Sequence, residues 1–385
     1  MPATPPPISL LNDLVSAIKE QLRCLTKPPT YMLLPKLNSM KRIQSFDLAR
    51  GFTVLIMPSI HIVMLYSQPT VQQSPLGDVL GFIAEGPGAQ LFMLLMGISF
   101  TFSKKINPKY VLQRAFYLLI AAYLLNFFKF LVPLGLGLMP ANLLQELQLK
   151  NDFTSAGFFL LIGDILHFAA IAYLVLHFIY RLKYYHFWSF VAAIAIMIGS
   201  PFVWDLHTGI GSLDYILQLL GGHPPNVFFP IFPWLVYPLM GLTLGYLLKE
   251  CNQNRLMKNT GLSGAGIVII ACLFPPTVQS NDWLPFYRTD AADTLFHLGF
   301  VLTWLSVFHW LSKEIPANFF YRLLTFCSKN ITTIYIIQWV FICWCLAFTG
   351  YMQLNMTSTL IWMIGITTIT LLLTHALNNA YRKSI

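Results

Sequence analysis

The sequence predicts an all-α polytopic membrane protein of about ten transmembrane helices with both termini in the cytoplasm, and three observations carry that prediction. Of the 385 residues, 56% are hydrophobic and only 10% charged, with a mean hydropathy of +0.63, far from the composition of a soluble domain. Apolar runs near the roughly 20 residues that cross a bilayer recur between charged or Pro/Gly-rich stretches. The basic residues fall almost entirely on one side of those runs.

Residues 1–40 read as a cytoplasmic segment and 41–385 as the membrane domain. No basic, apolar and small-residue cleavage pattern marks a signal peptide. In "LLNDLVSAIKEQLRCL", Leu10, Leu11, Leu14, Ile18 and Leu22 share a helical face, as in a helix lying on the inner membrane surface; a flexible tail is the alternative. Ten spans follow: Asp47–Ser67, Pro87–Ser103, Val111–Val132, Gly157–Tyr180, Phe187–Trp204, Phe228–Leu248, Leu262–Phe274, Ala291–Leu311, Ile331–Phe348 and Met356–Asn378. The seventh is short. With alternating direction from an inner N-terminus, the 24 basic residues all lie inside except Lys129, Lys150 and Arg288, the asymmetry that orients membrane proteins. Hence the net charge of +9 reflects topology, and nucleic acid is not an expected partner.

The acids do the opposite. Asp78, Glu85, Glu146, Asp152, Asp205, Asp214, Asp282, Asp290 and Asp293 collect at the outer side, where Glu85, Asp290 and Asp293 are candidates to grip an acceptor. The six cysteines have no disulfide or zinc spacing, which predicts free thiols.

Ionisable residues inside spans are costly and are functional candidates by default. Asp47 and Arg50 share a face in the first turn of the first span. They either cap and pair within it or hold phosphate at the inner mouth of a site. His61 lies eleven residues further on, about 16 Å along the helix, and Pro58 before it should kink the span beside a cavity. Its imidazole can take and return a proton near neutral pH. In "GDILHFAAIAYLV", Asp164 and His167 share a face; in "TDAADTLFHLG", Asp290, Asp293 and His297 do. A carboxylate beside a histidine fixes its tautomer and raises its basicity. Arg114 and the deep Lys129 supply positive charge on the third span, and Lys129 either neutralises an acid such as Asp164 or meets an anionic substrate. The same residue types suit a proton relay or a metal, but no HExxH or close histidine pair is present, so no metal is expected. No Gly-rich phosphate loop occurs either.

"RIQSFDLARGFTVLIMPSIH" resembles the first span of membrane acyltransferases, with its apolar-Asp-x-x-Arg-Gly core and later histidine. "GDILHFAAIAYLV", "FFPIFPWLVYPLMGLTLGYLL" and "CSKNITTIYIIQWVFI" are similar to later motifs of the heparan-alpha-glucosaminide N-acetyltransferase-like family and its bacterial relatives, within the transmembrane acyltransferase superfamily. The resemblance runs from Arg42 to about Phe341. It implies transfer of an acyl group, usually acetyl, from cytoplasmic acetyl-coenzyme A to a sugar outside, with Arg50 at the coenzyme site and His61 as the essential histidine. Gln338 stands where many relatives carry histidine, and the loop "SQPTVQQSPLGDVLGFIAEGPG" lacks the extra histidine and tryptophan of animal members. That points to a bacterial envelope glycan in place of the lysosomal substrate.

The expected protein is therefore an acyltransferase of the bacterial inner membrane. Asp47, Arg50, Arg114 and Lys129 would guide acetyl-CoA, and His61 would act as general base or acyl carrier. Asp164, His167, Asp290, Asp293 and His297 would orient that base or hold the sugar or amino-sugar acceptor, on which Trp234 would stack. A homodimer is allowed. The competing reading is a proton-coupled transporter or flippase of a sugar or lipid-linked glycan; an inert scaffold leaves the outer acids unexplained.

Overall fold

A computed structural model describes residues 43–150, 152–274 and 284–383. The expected surface helix in residues 1–40 lies outside the described residues, as does Asp282. The described residues are helical, with two isolated parallel bridges joining Ser67 to Leu354 and Gly163 to Val227.

Helix α1 spans Gln44–Tyr66. Helices α2 (Pro75–Ile83) and α3 (Ala89–Phe102) are joined by a π-helical turn, Ala84–Gly88, into one span. Helix α4 (Pro108–Asn126) runs into a second π turn, Phe127–Leu131. Helices α5 (Phe153–Leu161) and α6 (Ile165–Tyr180) follow, then α7 (Tyr185–Gly199), α8 (Gly211–Gly221) and α9 (Val236–Glu250). The chain ends with α10 (Gln253–Ala271), α11 (Ala291–Glu314), α12 (Phe319–Lys329), α13 (Ile331–Thr349) and α14 (Met356–Lys383).

Among the described residues, eight helices are long and apolar enough to cross a membrane. They match eight of the ten expected spans. The expected fourth span is not one helix but two, α5 and α6, separated at Ile162–Asp164. The seventh corresponds to α10, whose first turns carry Asn254, Arg255, Lys258 and Asn259 and so fall short of a membrane-like composition.

Helices pack closely in a membrane where small residues let backbones approach. A Cβ at Gly97 would sit 2.0 Å from the Pro238 carbonyl oxygen, and one at Gly241 would sit 2.0 Å from that of Leu94. These two glycines set the α3–α9 crossing, and α9 is the most enclosed span. The same logic explains the Arg-Gly pair of the first motif. A Cβ at Gly51 would lie 2.0 Å from the Leu324 carbonyl oxygen, so α12 can lie on α1 only because position 51 has no side chain. Asp47, one turn earlier, accepts a 2.8 Å hydrogen bond from Ser328 Oγ. Outward-turned apolar stripes complete the membrane exterior: Leu112, Phe116, Ile120 and Leu124 are exposed along α4, and Ile361, Ile364 and Leu372 along α14.

Candidate active site

Two interruptions in the helices create the site. The first is the π turn after α4, which carries Lys129 inward; such bulges re-aim side chains and are frequent at functional positions. The second is the gap between α5 and α6. Non-helical backbone at membrane depth must find partners within the protein, and here it does. The Asn126 amide donates to the carbonyls of Leu160 and Ile162 at 3.0 and 2.8 Å. Gly163 donates to Asn226 O and accepts from Phe228 N. Asp164 then starts α6 as its N-cap, its carboxylate accepting from Ile165 N at 2.7 Å, where a negative group is favoured.

Between the interruptions, Lys129 Nζ donates to Asp164 Oδ2 at 2.7 Å, and both side chains are buried. A buried ion pair holds only when its geometry is good and its remaining atoms are satisfied. The Tyr335 hydroxyl on α13 donates to Asp164 Oδ1 at 2.9 Å, so the carboxylate accepts from Lys129 and Tyr335 as well as from the first-turn backbone of α6. The Lys129 ammonium lies over the Phe130 and Trp339 rings, 4.7 and 4.9 Å from their centroids, a cation–π arrangement. Trp339 also meets the His61 ring, with centroids 4.1 Å apart. His61, Lys129, Asp164, Tyr335 and Trp339 thus belong to one cluster drawn from four elements.

The cluster lines a cavity of about 420 Å³, a size usual for small-molecule sites. Its wall includes Thr53, Met57, Ile60, His61, Met64 and Leu65 of α1, together with Phe130, Tyr287, Thr332 and Cys343. His61 Nδ1 is buried with no hydrogen-bond partner among the described residues.

The other sequence candidates are placed differently. His167 does not line the cavity. Its Nδ1 accepts from Asp164 N at 3.1 Å, closing the capping box of α6, which commits that nitrogen to acceptor duty; its ring edge packs on Tyr123. Trp234, the expected stacking platform for the sugar, is enclosed and does not line the cavity. It is 2% exposed, its indole N–H donates to Tyr287 O, and Phe229, Tyr237 and Phe286 enclose its ring. Asp290 caps α11 through Asp293 N, and His297 packs against Phe286 and Phe296. None of Asp290, Asp293 and His297 lines the cavity, and neither does Glu85, which is exposed on the π turn Ala84–Gly88. Arg114 is exposed near the start of α4, fifteen residues or about 22 Å along the helix from Lys129. Asp47 and Arg50 also stand outside the cavity wall, although Thr53, one turn beyond Arg50, is part of it. Gln338, where relatives carry histidine, is buried and donates to Met57 Sδ at 2.8 Å.

Residues 42–273 match the sequence profile of the heparan-alpha-glucosaminide N-acetyltransferase catalytic domain. The chain belongs to this family. No curated protein matches it. The heparan-alpha-glucosaminide N-acetyltransferase family consists of membrane acetyltransferases whose donor is acetyl-CoA. The profile covers α1 through α10, and therefore His61, both interruptions and the Lys129–Asp164 pair. Tyr335 and Trp339 lie beyond it. Among the described residues no group of three or more His, Cys, Asp or Glu side chains is arranged to hold a metal ion.

Tyr335 and Trp339 are the cavity-lining positions that sequence reasoning missed. They are four residues apart, hence on one helical face, and Cys343 continues that stripe into the cavity wall. The signal was present in "ITTIYIIQWVFIC", but an apolar helix with aromatics most often reads as core.

Proposed function

We propose that the protein transfers an acetyl group from acetyl-CoA to a hydroxyl or amine of an envelope sugar, with His61 as the proton-handling residue. The observation that carries this reading is that His61 lines the same cavity as the Lys129–Asp164 pair, in a chain of an acetyltransferase family. Acetyl-CoA reaches the cavity from the cytoplasmic side at the Thr53 end, past Arg50. Its slender pantetheine arm suits a cavity of this size and apolar character, while the charged nucleotide stays at the inner mouth with Arg50 and Arg114.

The acceptor's oxygen or nitrogen attacks the thioester carbonyl carbon and the C–S bond breaks. His61 takes the acceptor's proton and returns it to the departing thiolate, so no net charge is left in the cavity. In the covalent variant the imidazole nitrogen attacks first and holds the acetyl group until the acceptor removes it. Asp164, held by Lys129, Tyr335 and Ile165, forms with Lys129 a paired, oriented dipole in the same cavity wall as the imidazole.

Acetyl-CoA at one hundred times its Kd should stabilise the purified protein by about 2.7 kcal/mol, seen as a raised unfolding temperature. His61→Ala should keep that stabilisation and lose transfer; retained turnover in the variant would remove His61 from the chemistry. Exchange of label between CoA and acetyl-CoA without acceptor would select the covalent variant. The two broken helices meeting at a buried ion pair also favour a proton-coupled transporter or flippase. That reading predicts gradient-dependent movement of a glycan and no response to acetyl-CoA.

A further inference from the structure

The cavity follows α1 from Thr53 to Leu65, twelve residues or about 18 Å, and His61 stands two thirds of the way along. If the donor's thioester reaches His61 from the Thr53 end, as proposed above, the space beyond belongs to the acceptor. That space is walled by Met64, Leu65, Leu143, Leu147 and Met352. Its level is fixed by the backbone, because Met352 N donates to Leu65 O at 2.9 Å. Tyr351 is the polar side chain on this stretch, and its hydroxyl already bonds Glu146 Oε1 at 3.2 Å. Pro224 and Pro225, also in the wall, have no backbone N–H to offer.

A free sugar carries a hydroxyl on nearly every carbon, and each needs a partner once buried. This wall provides almost none. Methylene groups, by contrast, gain from contact with it, and the two methionines adapt to an irregular chain. A two-carbon acetyl group is too small to be the reason for such a chamber.

We infer that the acceptor is lipid-borne: a hydroxyl or amine carried on an aliphatic chain, with the chain against the Met64–Leu143–Met352 wall and the reactive group at His61. The inference rests on the acetyl-transfer reading and narrows its acceptor from envelope sugars in general to amphipathic glycosides and glycolipids.

The test uses the full chain in phosphatidylcholine nanodiscs, with binding of methyl, hexyl and octyl β-glucoside measured below their micelle concentrations and empty nanodiscs subtracted. Affinity should rise at least about tenfold from methyl to octyl, a conservative fraction of the gain expected per buried methylene. Leu143→Gln should erase the rise and Leu143→Met should keep it, which separates loss of the chain site from misfolding. Equal affinity across the series, or a rise that Leu143→Gln leaves intact, overturns the inference. A chain-length gain found between acetyl-CoA and octanoyl-CoA and erased by Leu143→Gln also overturns it, since the chain would then be the donor's. Stabilisation by acetyl-CoA is read in parallel. If it persists while the glucoside series is flat, only the lipid-borne acceptor fails; if it is absent, the acetyl-transfer reading fails as well.

Discussion

Two polar regions of the molecule use the same kinds of side chain for different ends. At the start of α1, Asp47 meets Ser328 and Gly51 admits Leu324, so a motif that reads as a charged mouth also docks α12 on α1. At the α4 and α5–α6 interruptions, Lys129 and Asp164 meet inside the protein, beside a cavity and an imidazole. The first region keeps its helix intact and spends its polar groups on a neighbouring helix. The second breaks two helices, repairs the backbone with Asn126 and residues 226–228, and leaves its charges facing space. What separates them is the broken backbone and the adjoining cavity, more than the residue types.

This contrast can be broken most forcefully at the ion pair. Lys129→Met alone strands a buried carboxylate and should destabilise the protein by about 3–5 kcal/mol, measured by denaturant unfolding in detergent. Adding Asp164→Asn should restore much of that loss while transfer stays absent. A single variant as stable as the parent would show the pair to be dispensable for the fold.

Next comes Gly51→Ala. Its methyl group meets a backbone carbonyl, not a flexible side-chain end, so α12 must shift, at about 1–3 kcal/mol. Unchanged stability in the same unfolding assay would mean that α12 is not held where described. Ser328→Ala has an effect of similar size. It removes one hydrogen bond to Asp47, worth about 1.5–3 kcal/mol at most for a charged acceptor, and should lower the unfolding midpoint without changing KM for acetyl-CoA. A selective rise in that KM would move Asp47 from helix docking to the coenzyme site.

The smallest effect belongs to the loops that carry Asp205 and Arg288. Arg288 donates to both Asp205 carboxylate oxygens, at 3.1 and 2.9 Å, and this hydrogen bonding holds the Asp205 carboxyl below the usual carboxylate range. The folded pKa being depressed, the pair's contribution is complete above the unfolded value of about 3.9 and is lost as pH falls through the folded value. Asp205 is largely solvent-exposed, so Asp205→Asn should cost under about 1 kcal/mol near neutral pH. The difference between parent and variant should vanish in acid; a gap that widens there would reverse the assignment.

Much of this was legible in the sequence because hydrocarbon imposes a simple rule. Apolar length and the distribution of Lys and Arg marked the spans, and His61 and Lys129 declared themselves by the cost of placing them there. The partnership of Lys129 with Asp164 was readable as one of two options. What was not legible depends on backbone irregularity. A π turn leaves no compositional mark in "NFFKFLV", and the gap at Gly163 looks like an ordinary glycine inside an apolar run. Without those breaks, Asp164 and His167 read as a pair on one face, whereas the structure makes one the N-cap and the other its capping partner. Asp290 is ambiguous for the same reason, since a helix-capping acid and an acceptor-gripping acid look alike until the helix start is known.

Trp339 packs against both His61 and Lys129. An indole in that position is a built-in optical probe: its emission follows the charge and the contents of the chamber. The difference in fluorescence between the parent and Trp339→Phe therefore reports directly on loading of the chamber, with no label added.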